Sequence, residues 1–115
     1  MNTIKLWLRA IRAPFFLGTM MAGFLGSALA FDMGKFNWFY FISSIIIIAG
    51  INAGVNLIND YFDHKSGNDE ANKAPTPFSG GSRVIQEKLI NPRQMLIGGL
   101  ISFVIIGLFE SMVTA

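Results

Sequence analysis

The sequence from Asn52 to Lys65 reads NAGVNLINDYFDHK, and it leads from an apolar segment into a group of amides and acids. On an α-helix, where successive residues are turned by about 100°, its oxygen-bearing side chains fall within an arc of about 100°. These side chains are Asn52, Asn56, Asn59, Asp60 and Asp63. Apolar side chains cover most of the remaining circumference. A polar stripe at the end of an apolar membrane helix is costly, so we expect its oxygens to have a function.

Three apolar segments extend over residues of about 11–31, 36–58 and 95–115. Each has close to the ~20 residues that cross a hydrocarbon layer of ~30 Å. The chain is 52% hydrophobic and 14% charged, whereas about 25% of the residues of an ordinary soluble domain are charged. The sequence therefore predicts an all-α membrane protein with about three transmembrane helices and an Asp-rich loop at about 59–93.

The first apolar segment has a second interpretation, as a signal peptide, because basic residues precede it and Ala28-Leu29-Ala30 resembles a cleavage site. The amphipathic residues 7–12 and the two later spans favour a retained helix. Three Lys or Arg residues precede the first helix, one lies between the first two helices and five lie between the last two. This distribution predicts that the N-terminus and the loop 59–93 are cytoplasmic.

Local signals predict how the helices end and pack. Gly50 and Gly54 have the spacing that lets membrane helices approach closely, either within this chain or in a dimer. The second helix is expected to continue through Asp63 and to stop near Gly67, because glycine readily follows a helix end. Residues 84–90 are expected to form a short helix before the third span.

Asp60 and Asp63 lie about one helical turn apart and can hold one divalent cation between them. Mg²⁺ commonly takes one or two carboxylates and completes its shell with water and substrate phosphate. Basic residues of the loop could bind the oxyanion: Lys65, Lys73, Arg83 and Lys88. The pattern predicts a diphosphate site, with a solvated charged loop as the alternative. A single His and no Cys argue against zinc, and the lack of a Lys/Arg block argues against nucleic acid.

Three segments resemble a known family. NLINDYFDHKSGND, from Asn56 to Asp69, resembles the first aspartate-rich motif of the UbiA family of intramembrane prenyltransferases. FSGGSRVIQ, from Phe78 to Gln86, resembles the following loop of the menaquinone branch, the 1,4-dihydroxy-2-naphthoate polyprenyltransferases. LRAIRAPFF, from Leu8 to Phe16, resembles the start of the family. The resemblance implies a Mg²⁺-dependent transferase in the cytoplasmic membrane of a prokaryote, which joins a polyprenyl diphosphate to an aromatic acceptor.

The resemblance also implies roles for individual residues. Asp60 and Asp63 would be the catalytic acids that bind Mg²⁺ on the diphosphate. Asp69 would be a third metal ligand, although its distance along the chain from Asp63 is longer than in the family's D-x-x-D-x-x-x-D form. Further residues would bind the diphosphate, with Gln86 a weaker candidate: Asn56, Asn59, Lys65 and Arg83.

The family has many more membrane helices than three, and it has a second aspartate-rich motif. Residues 1–115 contain only the first motif, so we expect them to be the N-terminal part of a prenyltransferase domain within a larger helical bundle, and to be inactive alone. The alternative is a small non-enzymatic membrane protein with three helices, whose acidic cytoplasmic loop binds cations or a partner.

Overall fold

A computed structural model describes residues 2–67, 71 and 81–115 of the chain. The continuous stretches 2–67 and 81–115 contain four α-helices: α1 (Thr3–Ala10), α2 (Phe16–Asp32), α3 (Trp38–Lys65) and α4 (Pro92–Thr114). A single 3₁₀ turn, Ala13–Phe15, precedes α2, and the described residues include no strand. Three segments are long and apolar enough to cross a membrane: Ala13–Asp32, Trp38–Lys65 and Pro92–Thr114. The prediction of an all-α membrane protein is confirmed.

The polar stripe belongs to α3, which continues from the apolar segment as far as Lys65. Residues 59–65, placed in the loop by hydropathy alone, are therefore helical. Gly67 follows the helix end with φ +79, a left-handed conformation that glycine adopts without a Cβ penalty. The expected stop near Gly67 is confirmed, and the stripe is held by a rigid element.

The prediction of a short helix at residues 84–90 is wrong. This segment forms successive turns. The Val84 carbonyl accepts hydrogen bonds from the amide of Leu89 at 2.8 Å and from the amide of Ile90 at 3.3 Å. Arg83 and Lys88 have φ values of 67 and 58, a left-handed conformation that a right-handed helix cannot contain. The turns bury the side chains of Val84 and Ile90 in the protein, so tertiary packing overrides local helix preference.

Glycines allow α3 and α4 to pack closely. A Cβ atom built on Gly50 would overlap the Ile106 side chain of α4. A Cβ atom on Gly99 would lie 2.6 Å from Ile58 Cγ1 and 3.2 Å from the carbonyl oxygen of Gly54. The two helices therefore lie closer together at these positions than a side chain larger than that of glycine would allow. The Gly50/Gly54 pair thus packs within the chain, as in the first of the two predicted alternatives.

One end of the bundle, defined here as the Asp60 end, contains a cluster of buried apolar residues contributed by α1, residues 81–90, α3 and α4. The cluster consists of Ala10, Leu57, Val84, Ile85, Ile90 and Met95, with Leu6, Trp7, Ile11 and Tyr61 packed against it. Elsewhere the three long helices are mostly exposed. Only 6–17% of the most apolar 18-residue stretch of each membrane-spanning segment is buried inside the protein. The cluster therefore fixes α1 and the 81–90 segment against the helix end that carries the acids.

Candidate site at the Asp60 end of the bundle

The N-terminal segment is held over α3 by a side chain of the polar stripe. Asn56 Nδ2 donates to the Ile11 carbonyl at 2.7 Å. The chain then turns at Arg12, which is left-handed with φ 57, and Pro14 lies in the 3₁₀ turn that leads into α2. Since α1 also packs against the buried cluster, its basic residues remain near the acidic end of α3.

Asp60 is a buried carboxylate, with 4% of its surface exposed. Its Oδ2 accepts a hydrogen bond from the backbone N–H of Ser82 at 3.1 Å and a second one from the Ser82 hydroxyl. Arg12 and Asp63 are close enough to interact with it electrostatically, Arg12 favourably and Asp63 unfavourably. Burial of a charged group is costly unless hydrogen bonds and opposite charge compensate, and Ser82 and Arg12 provide both.

Arg9 connects α1 to the loop segment that holds Asp60. Its Nε donates to the Ser82 carbonyl at 3.1 Å, and its Nη2 forms an ion pair with Glu87. The planar guanidinium can make both contacts at once because its donors form a fixed fork. A continuous chain of polar contacts therefore runs from Glu87 through Arg9 and Ser82 to Asp60.

An open groove of about 370 Å³ lies beside this chain of contacts, between the N-terminal segment and the loop. Its lining combines two guanidinium groups, a backbone turn and apolar side chains: Leu8, Arg9, Arg12, Pro14, Phe15, Gly81 and Ser82. The Arg12 guanidinium carbon is 4.6 Å from the centre of the Phe15 ring, a cation–π contact. Guanidinium groups bind phosphate and carboxylate oxygens well, so the groove suits an oxyanion that carries an apolar group.

The structure brings together some of the residues named from the sequence. Asp63 lies one turn beyond Asp60 and is half-buried, and Arg83 directly follows Ser82. Asn59 and Lys65 are exposed on α3. Asp69 and Lys73 lie outside the described residues.

The acids of the described residues include one pair that could share a cation. Within these residues, no group of three or more His, Cys, Asp or Glu side chains is arranged to hold a metal ion. Asp60 and Asp63 lie about one helical turn apart on α3 and interact electrostatically. Two carboxylates fit Mg²⁺, which leaves much of its shell to water and phosphate.

The residues that sequence reasoning missed are Arg9, Arg12, Ser82 and Glu87. The two arginines were used only to assign orientation, although they lie three positions apart in a segment that resembles the family's start. Ser82 had no local signal, because its partner Asp60 is 22 positions earlier in the chain. Contacts of this kind become visible only in three dimensions.

Comparison of the chain with protein-family models, with curated proteins and with solved structures finds no match. A function for this protein must therefore be argued from its own residues and their geometry.

Proposed function

We propose that this chain forms the diphosphate-binding part of a Mg²⁺-dependent prenyl transfer site, in which a polyprenyl diphosphate donates its prenyl group to an aromatic acceptor of quinone biosynthesis. One observation supports this function best. The described parts of the three segments that resemble the UbiA family are distant in sequence but meet at the Asp60 end. Asn56 bonds to Ile11, and Arg9 bonds to Ser82, which in turn bonds to Asp60.

The residues of this end fit the requirements of the reaction. Prenyl transfer breaks the bond between the first prenyl carbon and a diphosphate oxygen, and the bonding electrons leave with the diphosphate. Asp60 and Asp63 would hold Mg²⁺ on the diphosphate, and the metal would supply charge that stabilises the leaving group. Arg12 interacts electrostatically with Asp60, and Arg9 and Arg12 line the adjoining groove, where they would add positive charge for the diphosphate.

The remaining product of bond cleavage is an allylic cation, which must be protected from water until the acceptor carbon attacks it. That carbon then loses the proton, or the carboxyl group as CO2, that the prenyl group replaces. The groove has apolar walls at Leu8, Pro14 and Phe15, and it lies at the end of helices that can cross a membrane. An apolar chain could extend from the groove along these helices, where little water is present.

The proposal extends to the acceptor and to the side of the membrane that the site faces. By the resemblance of residues 78–86, the acceptor is 1,4-dihydroxy-2-naphthoate in menaquinone biosynthesis, and by charge distribution the site faces the cytoplasm. In the family that the chain resembles, a second aspartate-rich motif completes the metal site. In this proposal, residues 56–69 would supply the first aspartate-rich motif of such a site.

The first experiment measures binding of Mn²⁺, as a spectroscopic substitute for Mg²⁺, to the chain in lipid nanodiscs with and without inorganic diphosphate. We expect diphosphate to strengthen Mn²⁺ binding, and Asp63→Asn to weaken that binding at least tenfold, about 1.4 kcal/mol. Asp32→Asn is the matched control, because it removes the same charge from an exposed position at the C-terminal end of α2, away from the Asp60 end of the bundle.

Two outcomes would count against the proposal. Mn²⁺ binding that does not depend on diphosphate would favour the non-enzymatic cation-binding protein. Retained prenyl transfer by an Asp60→Ala variant, in membranes containing the complete product of the reading frame, would exclude the metal role of Asp60. The transfer assay uses a radiolabelled polyprenyl diphosphate with 1,4-dihydroxy-2-naphthoate.

A further inference from the structure

Building on the function proposed above, we propose that Ser82 is a positioning residue: it fixes the carboxylate of Asp60 in the orientation that binds the cation. Arg9 and Glu87 hold Ser82 in turn. Neither the acidic motif nor the charge pattern of the sequence gives these three residues this role. Four observations lead to it.

The direction of the Ser82 hydroxyl is determined by its neighbours. Its Oγ lies 3.4 Å from the backbone N–H of Val84, which can only donate, and it also contacts Asp60 Oδ2. An ionised carboxylate can only accept. The single hydroxyl proton therefore points at Asp60, and Ser82 acts as a donor to it.

Two donors of Ser82 meet the same carboxylate oxygen. The backbone N–H reaches Asp60 Oδ2 at 3.1 Å, in addition to the hydroxyl. They use two of the about four lone-pair positions of an ionised carboxylate. This arrangement fixes the plane of the carboxylate while the group keeps capacity to accept a cation.

The Ser82 backbone is itself held from both sides. Arg9 Nε donates to its carbonyl at 3.1 Å, and Glu87 pairs with the same guanidinium. Gly81 and Arg83, its two neighbours, are both left-handed, with φ values of 71 and 67. Left-handed backbone at a non-glycine residue persists only where the surroundings impose it, so the position of Ser82 is strongly constrained.

Ser82 is also separate from the packing that anchors the loop. Val84, Ile85 and Ile90 carry the apolar contacts of this segment with the rest of the protein. Ser82 is buried too, with 8% exposed, but it contributes polar contacts. Removal of its hydroxyl should therefore change the carboxylate while the loop stays in place.

The test is Ser82→Ala in the complete chain in nanodiscs, with Mn²⁺ and inorganic diphosphate as the probes. Loss of a partner that orients a metal ligand commonly weakens metal binding by about 10–100-fold, and we expect a loss of at least tenfold. Ser82→Thr keeps the hydroxyl and should recover most of the affinity. Ser111→Ala is the matched control, since the Ser111 hydroxyl donates only to a backbone carbonyl within α4.

Hydrogen exchange of the amides of residues 87–90, which donate to backbone carbonyls of the same segment, separates positioning from simple anchoring. We expect unchanged exchange there in Ser82→Ala. If Mn²⁺ affinity falls only together with faster exchange of these residues, Ser82 anchors the loop and the positioning role is wrong.

The roles of Ser82 and of the metal site can fail separately. Equal Mn²⁺ affinity of Ser82→Ala and the unaltered chain, with Asp63→Asn still impaired, would overturn the positioning role and leave the proposed function intact. If the unaltered chain shows no diphosphate-dependent Mn²⁺ binding, both proposals fail.

A double-mutant cycle tests the link to Glu87. Glu87→Gln weakens its contact with Arg9, and Glu87 does not line the groove. If Glu87 acts through Ser82, the effects of Glu87→Gln and Ser82→Ala on Mn²⁺ affinity will be non-additive. Additive effects would mean that Glu87 does not act through Ser82. Glu87→Gln combined with Ser111→Ala is the reference pair, for which additive effects are expected.

Discussion

The polar stripe of α3 contains two kinds of side chain with different tasks. Asn52 donates to Thr19 of α2 and to the carbonyl of Ile48 one turn before it. Asn56 donates to the Ile11 carbonyl. Both amides thus use their N–H groups to attach α3 to the N-terminal part of the chain. The carboxylates of Asp60 and Asp63 have no donors of their own when ionised, and they remain suited to bind a cation.

This division predicts that Asn56→Asp is destabilising. The substitution keeps the size of the side chain but replaces the donor to the Ile11 carbonyl with an acceptor, so two acceptors face each other. We expect a loss of about 1–3 kcal/mol in the free energy of unfolding, measured by circular dichroism during denaturation in detergent micelles.

The control for this prediction is Asn59→Asp, which adds the same charge on the exposed side of α3, three residues further along. Its unfolding midpoint should stay close to that of the unaltered chain. Equal midpoints for the two variants would mean that the Asn56–Ile11 bond contributes nothing to stability.

Sequence reasoning predicted the stripe but not its partners. Helical geometry was sufficient to place the five polar side chains of α3 on one face, because that placement depends only on spacing within a helix. The partner of Asn56 is 45 positions away, and the partner of Asp60 is 22 positions away. No local pattern encodes contacts at such distances. Arg9 and Arg12 were therefore not among the basic residues expected to bind the oxyanion, which were Lys65, Lys73, Arg83 and Lys88.

At the level of whole elements, the long helices were predictable because length and hydropathy determine them. The turns at 84–90 were not predictable, since burial of Val84 and Ile90 against α1, α3 and α4 depends on the assembled bundle. The packing of the helices was only partly predictable from the sequence. The spacing of Gly50 and Gly54 indicated close contact, and the structure identifies α4 as the partner.

The contact between α3 and α4 predicts that Gly50→Ala destabilises the bundle. The added methyl group would overlap Ile106, and the two helices would have to separate or the side chain would have to leave its rotamer. Overpacking of this kind costs about 1–3 kcal/mol, which should appear as a lower unfolding midpoint in detergent micelles.

Gly107→Ala provides the matched comparison, because nothing lies within 4 Å of a Cβ atom at this position of α4. Alanine favours a helix over glycine by about 0.5–1 kcal/mol, so this variant should be neutral or slightly more stable. If both variants shift the midpoint equally, α3 and α4 do not pack as described.

The whole molecule has two unlike ends. At the Asp60 end, α1, residues 81–90 and the acids of α3 lie around the buried cluster. At the opposite end, between α2 and α3, aromatic rings contact one another, with Phe36 and Trp38 centred 5.1 Å apart. Trp38 is 68% exposed, which suits a ring at a membrane interface. This difference gives the molecule a direction across a membrane.

The direction can be tested because the chain contains no cysteine, so each introduced cysteine is a unique label site. Ser66→Cys lies at the Asp60 end and Met33→Cys at the opposite end, and both positions are exposed. Basic residues flank the Asp60 end, and such segments stay in the cytoplasm. A membrane-impermeant maleimide should therefore label Met33→Cys in intact cells, and label Ser66→Cys only after the membrane is opened.

Thr3→Cys on α1 adds an internal check on this experiment. Arg9 of α1 bonds to Ser82, so α1 and the loop segment must lie on the same side of the membrane. Labelling of Thr3→Cys should match that of Ser66→Cys in every condition. Labelling of Ser66→Cys and Thr3→Cys in intact cells, with Met33→Cys protected, would reverse the orientation and place the Asp60 end outside. That result would contradict the proposed function, which expects its diphosphate substrate in the cytoplasm.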